Sequence, residues 1–321
     1  MRLLRRTLAS LAFAVPVLAA AVPVAADTDI TWGTSAVGSS GHKALVNLAN
    51  VLNKEFKGYQ VTVQAMPGAI VSVKSYASGK TLGYYGADIA FYELANGTNR
   101  FKGFKEQMKR QPVQSFWTFT VEVGVAINAR DKDTIKSWGD LTGKQFFSGP
   151  LPWDTRAHLE RGLAAVGAKH NYIEVDLATA GSLMESKRLD GFIIYTNAEA
   201  TTAPWITEAG LTTNWLALNP SKDEEAKLNK AGIALTEVKA EAFKRDIGMP
   251  SVKLLPFYYG FHVGMEIPEA DVYRMLTIVE KNVDELVSLD KAFAQLKDMA
   301  GMQRKGVESS IDLVPVQPGL A

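Results

Sequence analysis

The sequence contains no cysteine, so it can form neither disulfide bonds nor metal sites that depend on thiolates. Its four histidines, His42, His158, His170 and His262, show no HExxH motif and no other close ligand spacing. No serine lies in a GxSxG elbow. These absences argue against a hydrolase or a metalloenzyme, and we expect no catalytic residue, no cofactor and no bound metal.

Charge of neither sign dominates, and long apolar runs are scarce. The chain has 35 lysines and arginines against 34 aspartates and glutamates, interspersed along its length, which argues against a nucleic-acid-binding protein. After residue 26 no apolar run approaches the roughly 20 residues of a membrane-spanning helix. With 47% hydrophobic residues, the chain can bury a core without disulfide bonds.

Residues 1–26 have the three regions of a secretory signal peptide. Arg2, Arg5 and Arg6 precede the apolar stretch Leu8–Val24, and small residues close the segment at Ala26. We expect cleavage there and export by the general route to the periplasm. The mature chain then has a formal net charge of −2 rather than +1, because three arginines are removed.

Strand and helix patterns alternate along the mature chain. One-face apolar spacing predicts a helix over Lys43–Phe56, and an aromatic, β-branched run predicts a long strand over Ser115–Ile127 that crosses between two lobes. This alternation predicts an α/β fold of mainly parallel sheets flanked by helices. Three finer predictions are a buried strand over Ala87–Phe91, an amphipathic helix over Leu289–Met299 and a loose end from Ser310.

The segment Gly33–His42 joins a short strand, Ile30–Trp32, to the predicted helix Lys43–Phe56. The first N–H groups of a helix lack backbone partners, and with the helix dipole they favour an anion. The segment matches neither a P-loop nor a GxGxxG motif. Its alternative role is simply to connect the strand to the helix.

A second strand–turn–helix unit begins at Gly149–Arg156. Asp154 or Thr155 is the predicted cap of its helix. Arg156 could clamp a carboxylate with two hydrogen bonds, and its alternative is a solvated arginine in the first turn. Trp153 could cover an apolar part of a ligand or equally seal the lobe.

Several short sequence stretches are not specific one by one. Their order and spacing along the chain are informative when they are taken together. They are Gly33-Thr34 with Gly38, Leu48-Ala49 through Leu52-Asn53, Val63–Ala65 with Gly68, Ala77–Gly79, Ala87–Phe91, Ile135–Ser137, Asp140-Leu141 with Gly143-Lys144, Gly149-Pro150, Thr155 and Asp190–Phe192. Together they resemble the TAXI-type extracytoplasmic solute receptors associated with TRAP transporters, over most of residues 30–290.

The resemblance implies a two-lobed, periplasmic-binding-protein-like fold that closes on a small anionic solute, with a carboxylate expected. The receptor would act as a monomer and deliver the solute to TRAP membrane subunits. The expected lobes are residues 27–122 with a return segment 255–321, and residues 123–254. The alternatives are the binding component of an ABC importer and an exported enzyme that uses the cleft.

The family binds its ligand from the first helix opening, the turn at Gly68 and the turn before Thr155. Here Gly41-His42 replace two tyrosines usual in the family, so ligand identity does not carry over. Nearby aromatic residues favour an organic acid with a flat or apolar body, larger or more aromatic than glutamate. The candidate ligand-binding residues, for which helix capping or solvent exposure is the alternative, are Ser35, Ser39, Ser40, His42, Gly68, Trp153, Thr155, Arg156 and Tyr258.

The signal peptide generates the first testable prediction. When the full chain is expressed in a Gram-negative host, we expect the exported protein to begin at Asp27, because the small residues before it suit signal peptidase. N-terminal sequencing of the periplasmic fraction measures this, and an exported protein that still begins at Met1 would contradict it.

Overall fold

Residues 27–321 are described by a computed structural model, and the predicted signal peptide lies outside them. The strands are β1 (Thr28–Gly33), β2 (Tyr59–Gln64), β3 (Gly83–Ala87), β4 (Trp117–Asn128), β5 (Gln145–Phe147), β6 (Asn171–Tyr172), β7 (Gly191–Asn197), β8 (Thr201–Thr202), β9 (Trp215–Leu218), β10 (Thr236–Lys239) and β11 (Ser251–Val263). The α-helices are α1 (Ser40–Glu55), α2 (Ala69–Ala77), α3 (Asp88–Asn96), α4 (Asp154–Val166), α5 (Ala180–Glu185), α6 (Pro204–Thr212), α7 (Lys222–Lys230), α8 (Glu269–Lys281), α9 (Val283–Leu289) and α10 (Met299–Ser310).

The strands form one curled, mixed sheet in the order β2-β1-β3-β11-β4-β7-β5-β6, and β8, β9 and β10 are attached to β7, β4 and β11. At one end β2, β1 and β3 run parallel, and at the other end β7, β5 and β6 do. Between them, β11 and β4 are antiparallel to each other and to their outer neighbours. This arrangement confirms the predicted α/β, periplasmic-binding-protein-like fold.

The central strands β4 and β11 separate two halves of the molecule. We call β1–β3 with α1–α3 and α8–α10 the first half, and β5–β9 with α4–α7 the second half. All twelve residues of β4 are buried, because strands pair with both of its edges and helices pack against it. The structure confirms the long strand predicted over Ser115–Ile127, at Trp117–Asn128. Within residues 27–321, no helix is both long enough and apolar enough to cross a bilayer.

The predicted strand over Ala87–Phe91 is wrong, because the strand ends where it was expected to begin. β3 occupies Gly83–Ala87, and α3 starts at Asp88. The two glycines of β3 are residues typical of turns, so composition alone does not indicate a strand there. At Gly83 an added Cβ would lie 2.5 Å from the Trp32 ring, so the strand needs glycine to pack there. Asp88 in the first turn suits the positive end of the helix dipole.

The C-terminal region also differs from expectation. Residues Lys291–Asp298 form a 3-10 helix rather than the predicted α-helix, and α10 follows it. The chain end is not loose, because the N–H of Gln114 donates to the carbonyl of Pro315 and the N–H of Gln317 donates to that of Gln114, each at 2.8 Å. This pairing joins distant parts of the chain, which no local pattern reveals.

A buried carboxylate ties the crossing strand β4 to the second half. Glu122 accepts hydrogen bonds from the hydroxyls of Thr120 and Thr196 and from the backbone N–H of Glu199. Burial raises the pKa of Glu122 from 4.5 to about 7, since desolvation outweighs the three hydrogen bonds that favour the charged form. The negative charge of Glu199 raises this pKa further.

We expect Glu122→Gln to change how stability depends on pH. The folded-state pKa of Glu122 lies above its ordinary value, so its contribution to stability is fully present below about pH 4.5 and is lost as the pH rises through about 7. Glutamine is neutral, so the free energy of unfolding of the variant should rise relative to wild type across this window. Urea unfolding at several pH values measures the difference.

The matched control is Glu106→Gln, which alters an exposed carboxylate in the first half and should follow the wild-type pH dependence. A Glu122→Gln variant whose difference from wild type stays constant across the same pH range would contradict the assignment.

Candidate functional site

The openings of three helices, α1, α2 and α4, meet at one small cavity between the two halves. Its volume is about 40 Å³, enough for about three water molecules. We call it the central cavity. It is lined by Ser35, Ser39, Ser40, Gly41, Ala69, Tyr85 and Tyr259 from the first-half side, by Val121 of β4, and by Trp153, Thr155, Tyr195 and Asn197 from the second half.

The opening of α1 supplies hydroxyls and a close backbone approach. Ser39 is the N-cap, and its Oγ accepts from the N–H of His42 at 3.2 Å and shares a 2.5 Å hydrogen bond with Ser35 Oγ. An added Cβ on Gly41 would lie 2.4 Å from the Tyr85 ring. The glycine therefore allows the first turn of α1, with its unpartnered N–H groups, to reach the cavity wall.

The opening of α4 supplies a hydroxyl from the opposite side. Trp153 occupies the N-cap position without a side-chain cap, so the predicted capping by Asp154 or Thr155 is wrong. The Thr155 side chain turns to the cavity instead. The residue is 7% exposed, and its buried Oγ1 has no hydrogen-bond partner within the described part of the chain. A buried hydroxyl without a partner is costly unless a ligand or water pairs with it.

Aromatic rings form much of the remaining wall. Tyr85 stacks on Tyr259 with ring centroids 4.3 Å apart, and Trp153 meets Tyr195 edge-on at 6.5 Å. Burial raises the pKa of Tyr85 well above its ordinary value, so the phenol stays protonated. Trp153 and Tyr85 line the central cavity, whereas Tyr84 lies in the core, where its hydroxyl pairs with the backbone of Val113.

A buried ion pair joins the two halves beside the cavity. Asp154, 1% exposed in the first turn of α4, lies 2.6 Å from Arg100 Nη1 and accepts a 2.6 Å hydrogen bond from the Tyr259 hydroxyl. Arg100 also pairs with Glu93 at 2.7 Å. Burial lowers the pKa of Arg100, but the carboxylates of Asp154 and Glu93 outweigh it and the net shift is upward.

A direct hydrogen bond also spans the cleft. Asn197 Nδ2, at the end of β7, donates to Ser40 Oγ in the first turn of α1 at 3.0 Å. Both residues line the central cavity. The two halves therefore also contact each other at the space that a ligand would occupy.

Two predicted site residues point elsewhere. The Arg156 guanidinium lies 4.3 Å from the centre of the Tyr172 ring and 3.5 Å from Glu160 Oε1, so it is engaged within the second half. Tyr258 lines a separate pocket, whereas Tyr259 lines the central cavity. This follows from strand alternation, which puts neighbouring residues of β11 on opposite faces.

Two other predicted residues lie next to the cavity without lining it. His42 contributes its backbone N–H to the Ser39 cap. An added Cβ on Gly68 would lie 3.3 Å from the Pro152 carbonyl oxygen, so this glycine keeps the opening of α2 close to the second half.

The structure adds residues that the sequence did not single out, chiefly Tyr195 and Asn197. Both lie at the carboxyl end of β7, which runs parallel to β5. Ligands of open α/β sheets bind outside the carboxyl ends of parallel strands. Applied to β7, that rule points to Tyr195 and Asn197, so the apolar run that forms β7 was the available signal in the sequence.

The chemistry of the central cavity is that of neutral donors. Among its twelve lining residues none has a charged side chain, and hydroxyls, one side-chain amide and helix openings provide the polar groups. Such a set can hold a carboxylate or sulfonate through oriented N–H and O–H groups without a cationic partner. The volume accommodates a head group of that size.

Comparison with known proteins places the chain within one class and one family. The fold is that of periplasmic solute-binding proteins, and the predicted binding-protein fold is thereby confirmed. The sequence matches the NMT1-like family over residues 32–310 and belongs to that family. This assignment is coarser than the predicted TAXI type. No curated protein sequence matches the chain significantly.

Solved structures with a similar fold share little sequence with this chain. XAC2383 from Xanthomonas citri bound to chloride ion has a TM-score of 0.50 and 10% identity, covering 86% of this chain and 98% of that one. The alkanesulfonate-binding protein SsuA from Xanthomonas axonopodis pv. citri bound to MOPS has a TM-score of 0.43 and 15% identity, covering 91% and 82%. At such identities the likeness concerns the fold alone.

The ion pair across the cleft generates a prediction for stability. Arg100→Gln would leave Asp154 and Glu93 buried without their cation, and breaking such a pair costs about 3–5 kcal/mol in the free energy of unfolding. Lys54→Gln is the matched control, because the side chains of Lys54 and its partner Glu285 are 61% and 41% exposed and such a surface pair contributes about 1 kcal/mol or less. Urea unfolding compares the two variants, and equal losses would contradict the assigned role of Arg100.

Proposed function

We propose that this protein is an extracytoplasmic receptor that binds a small organic acid between its two halves and delivers it to a membrane importer. The supporting observation is the central cavity, in which the openings of α1 and α4 converge with the Thr155 hydroxyl, which has no hydrogen-bond partner among residues 27–321. The oxygens of a bound acid group would accept hydrogen bonds from these donors.

The importer that best agrees with the family is of the ABC type. The family match and the binding-protein fold support a receptor of this superfamily, and they favour the ABC alternative over the TRAP partner implied by the TAXI resemblance. The genes that encode the membrane subunits beside this protein distinguish the two. ATP-binding subunits would indicate an ABC importer, and paired small and large membrane subunits without an ATPase would indicate a TRAP transporter.

A role without catalysis agrees with the same observations. Among the described residues that line the central cavity, none is a histidine, a lysine or a carboxylate that could serve as a general acid or base. The receptor hypothesis therefore requires that the bound acid be recovered unchanged, and the periplasm is the proposed location because such receptors work outside the cytoplasmic membrane.

The experiment is a thermal-shift screen of the mature protein with acetate, lactate, small sulfonates, amino acids and aromatic acids, followed by calorimetry on the best acid. We expect Thr155→Val to weaken binding by about tenfold or more, because a hydrogen bond to a charged group contributes about 1.5–3 kcal/mol. Valine keeps the shape of threonine and removes only the hydroxyl.

Arg156→Ala is the matched control, because it changes the neighbouring residue in the same helical turn. Its guanidinium is engaged with Tyr172 and Glu160, so affinity should change by less than about threefold. A loss for Arg156→Ala that exceeds the loss for Thr155→Val would contradict the proposed site, and chemical turnover of the acid would contradict the receptor role.

A further inference from the structure

A second, larger space adjoins the central cavity. We call it the outer pocket. Its volume is about 360 Å³, and its wall includes Thr201, Thr202 and Thr207. Three residues, Ser39, Ser40 and Asn197, line both spaces. The two spaces are therefore neighbouring compartments of one cleft.

One side-chain hydrogen bond joins two of the three residues that line both compartments. Asn197 Nδ2 donates to Ser40 Oγ at 3.0 Å, and no other hydrogen bond is found for the Asn197 side chain within residues 27–321. Asn197 is 2% exposed, so its amide is held in place by the surrounding strands. A ligand that extends from the central cavity into the outer pocket would run past the two residues that this hydrogen bond joins.

The two compartments differ in chemistry. Aromatic rings and neutral donors surround the central cavity, whereas the outer pocket has hydroxyls and charges of both signs, including Lys43, Lys244, Glu208 and Asp290. Lys43 is paired with Asp290 at 3.1 Å. The outer pocket would therefore accept a polar, hydrogen-bonding tail more readily than an apolar one.

We propose that the Asn197–Ser40 hydrogen bond sets the length of the acid that this receptor accepts. It closes the central cavity around a compact acid, and a longer acid must break it to place a polar tail in the outer pocket. This inference rests on the proposed function and adds to it the residues that determine specificity. Ser40 and Asn197 are thus assigned as specificity-determining residues.

The test measures affinity against chain length. The probes are ω-hydroxycarboxylates from glycolate to 6-hydroxyhexanoate and the matching ω-hydroxyalkanesulfonates, titrated by calorimetry. In wild type we expect affinity to fall by about fivefold to tenfold where the tail first reaches Ser40 and Asn197, the equivalent of one hydrogen bond broken. In Asn197→Ala this step should shrink to less than about twofold.

Ser40→Ala serves as the second variant, because it removes the acceptor at the loss of one heavy atom and leaves β7 unaltered. It should also reduce the step. Thr207→Ala, which changes only the outer pocket, is the control and should keep the wild-type step.

The outcomes separate the two proposals. If wild type binds short acids but both variants keep the wild-type dependence on length, the assigned role of Asn197 and Ser40 is overturned and the receptor proposal stands. If no member of either series binds to wild type, the proposed acid receptor fails, and this inference fails with it.

Discussion

The site depends on one buried charge, the carboxylate of Asp154 at the start of α4. Removing a carboxylate from water costs several kcal/mol unless ionic and hydrogen-bonding partners replace the water. Here Arg100 and the Tyr259 hydroxyl, both on the first-half side, provide those partners. Because Asp154 precedes Thr155, this contact holds the opening of α4 against the first half and places the Thr155 hydroxyl in the central cavity.

The proposed recognition of an acid by neutral groups rests on this geometry. The N–H groups at the openings of α1 and α4 carry partial positive charge that cannot be lost by titration, and aromatic walls such as Tyr85 and Trp153 exclude water from around them. Hydrogen bonds to a charged group are stronger than neutral ones. Arg156, at the opening of α4, makes structural contacts with Tyr172 and Glu160 instead.

The sequence predicted the backbone features of the site better than its side chains. Helix openings have local sequence signatures. In the structure, α1 and α4 begin within the two predicted segments, Gly33–His42 and Gly149–Arg156. Which way a side chain turns depends on partners from distant segments. Arg156 is held by Tyr172, and Tyr259 rather than Tyr258 faces the cavity because of how β11 pairs with β3 and β4. Such pairing has no signature within a single segment.

The most direct measurement of the central claim is a crystal structure of the mature protein with the best acid from the screen. The account predicts the acid group in the central cavity, within hydrogen-bond distance of Thr155 Oγ1 and of the first N–H groups of α1. An acid group bound through Arg156, or at any site outside the cleft between the two halves, would contradict it.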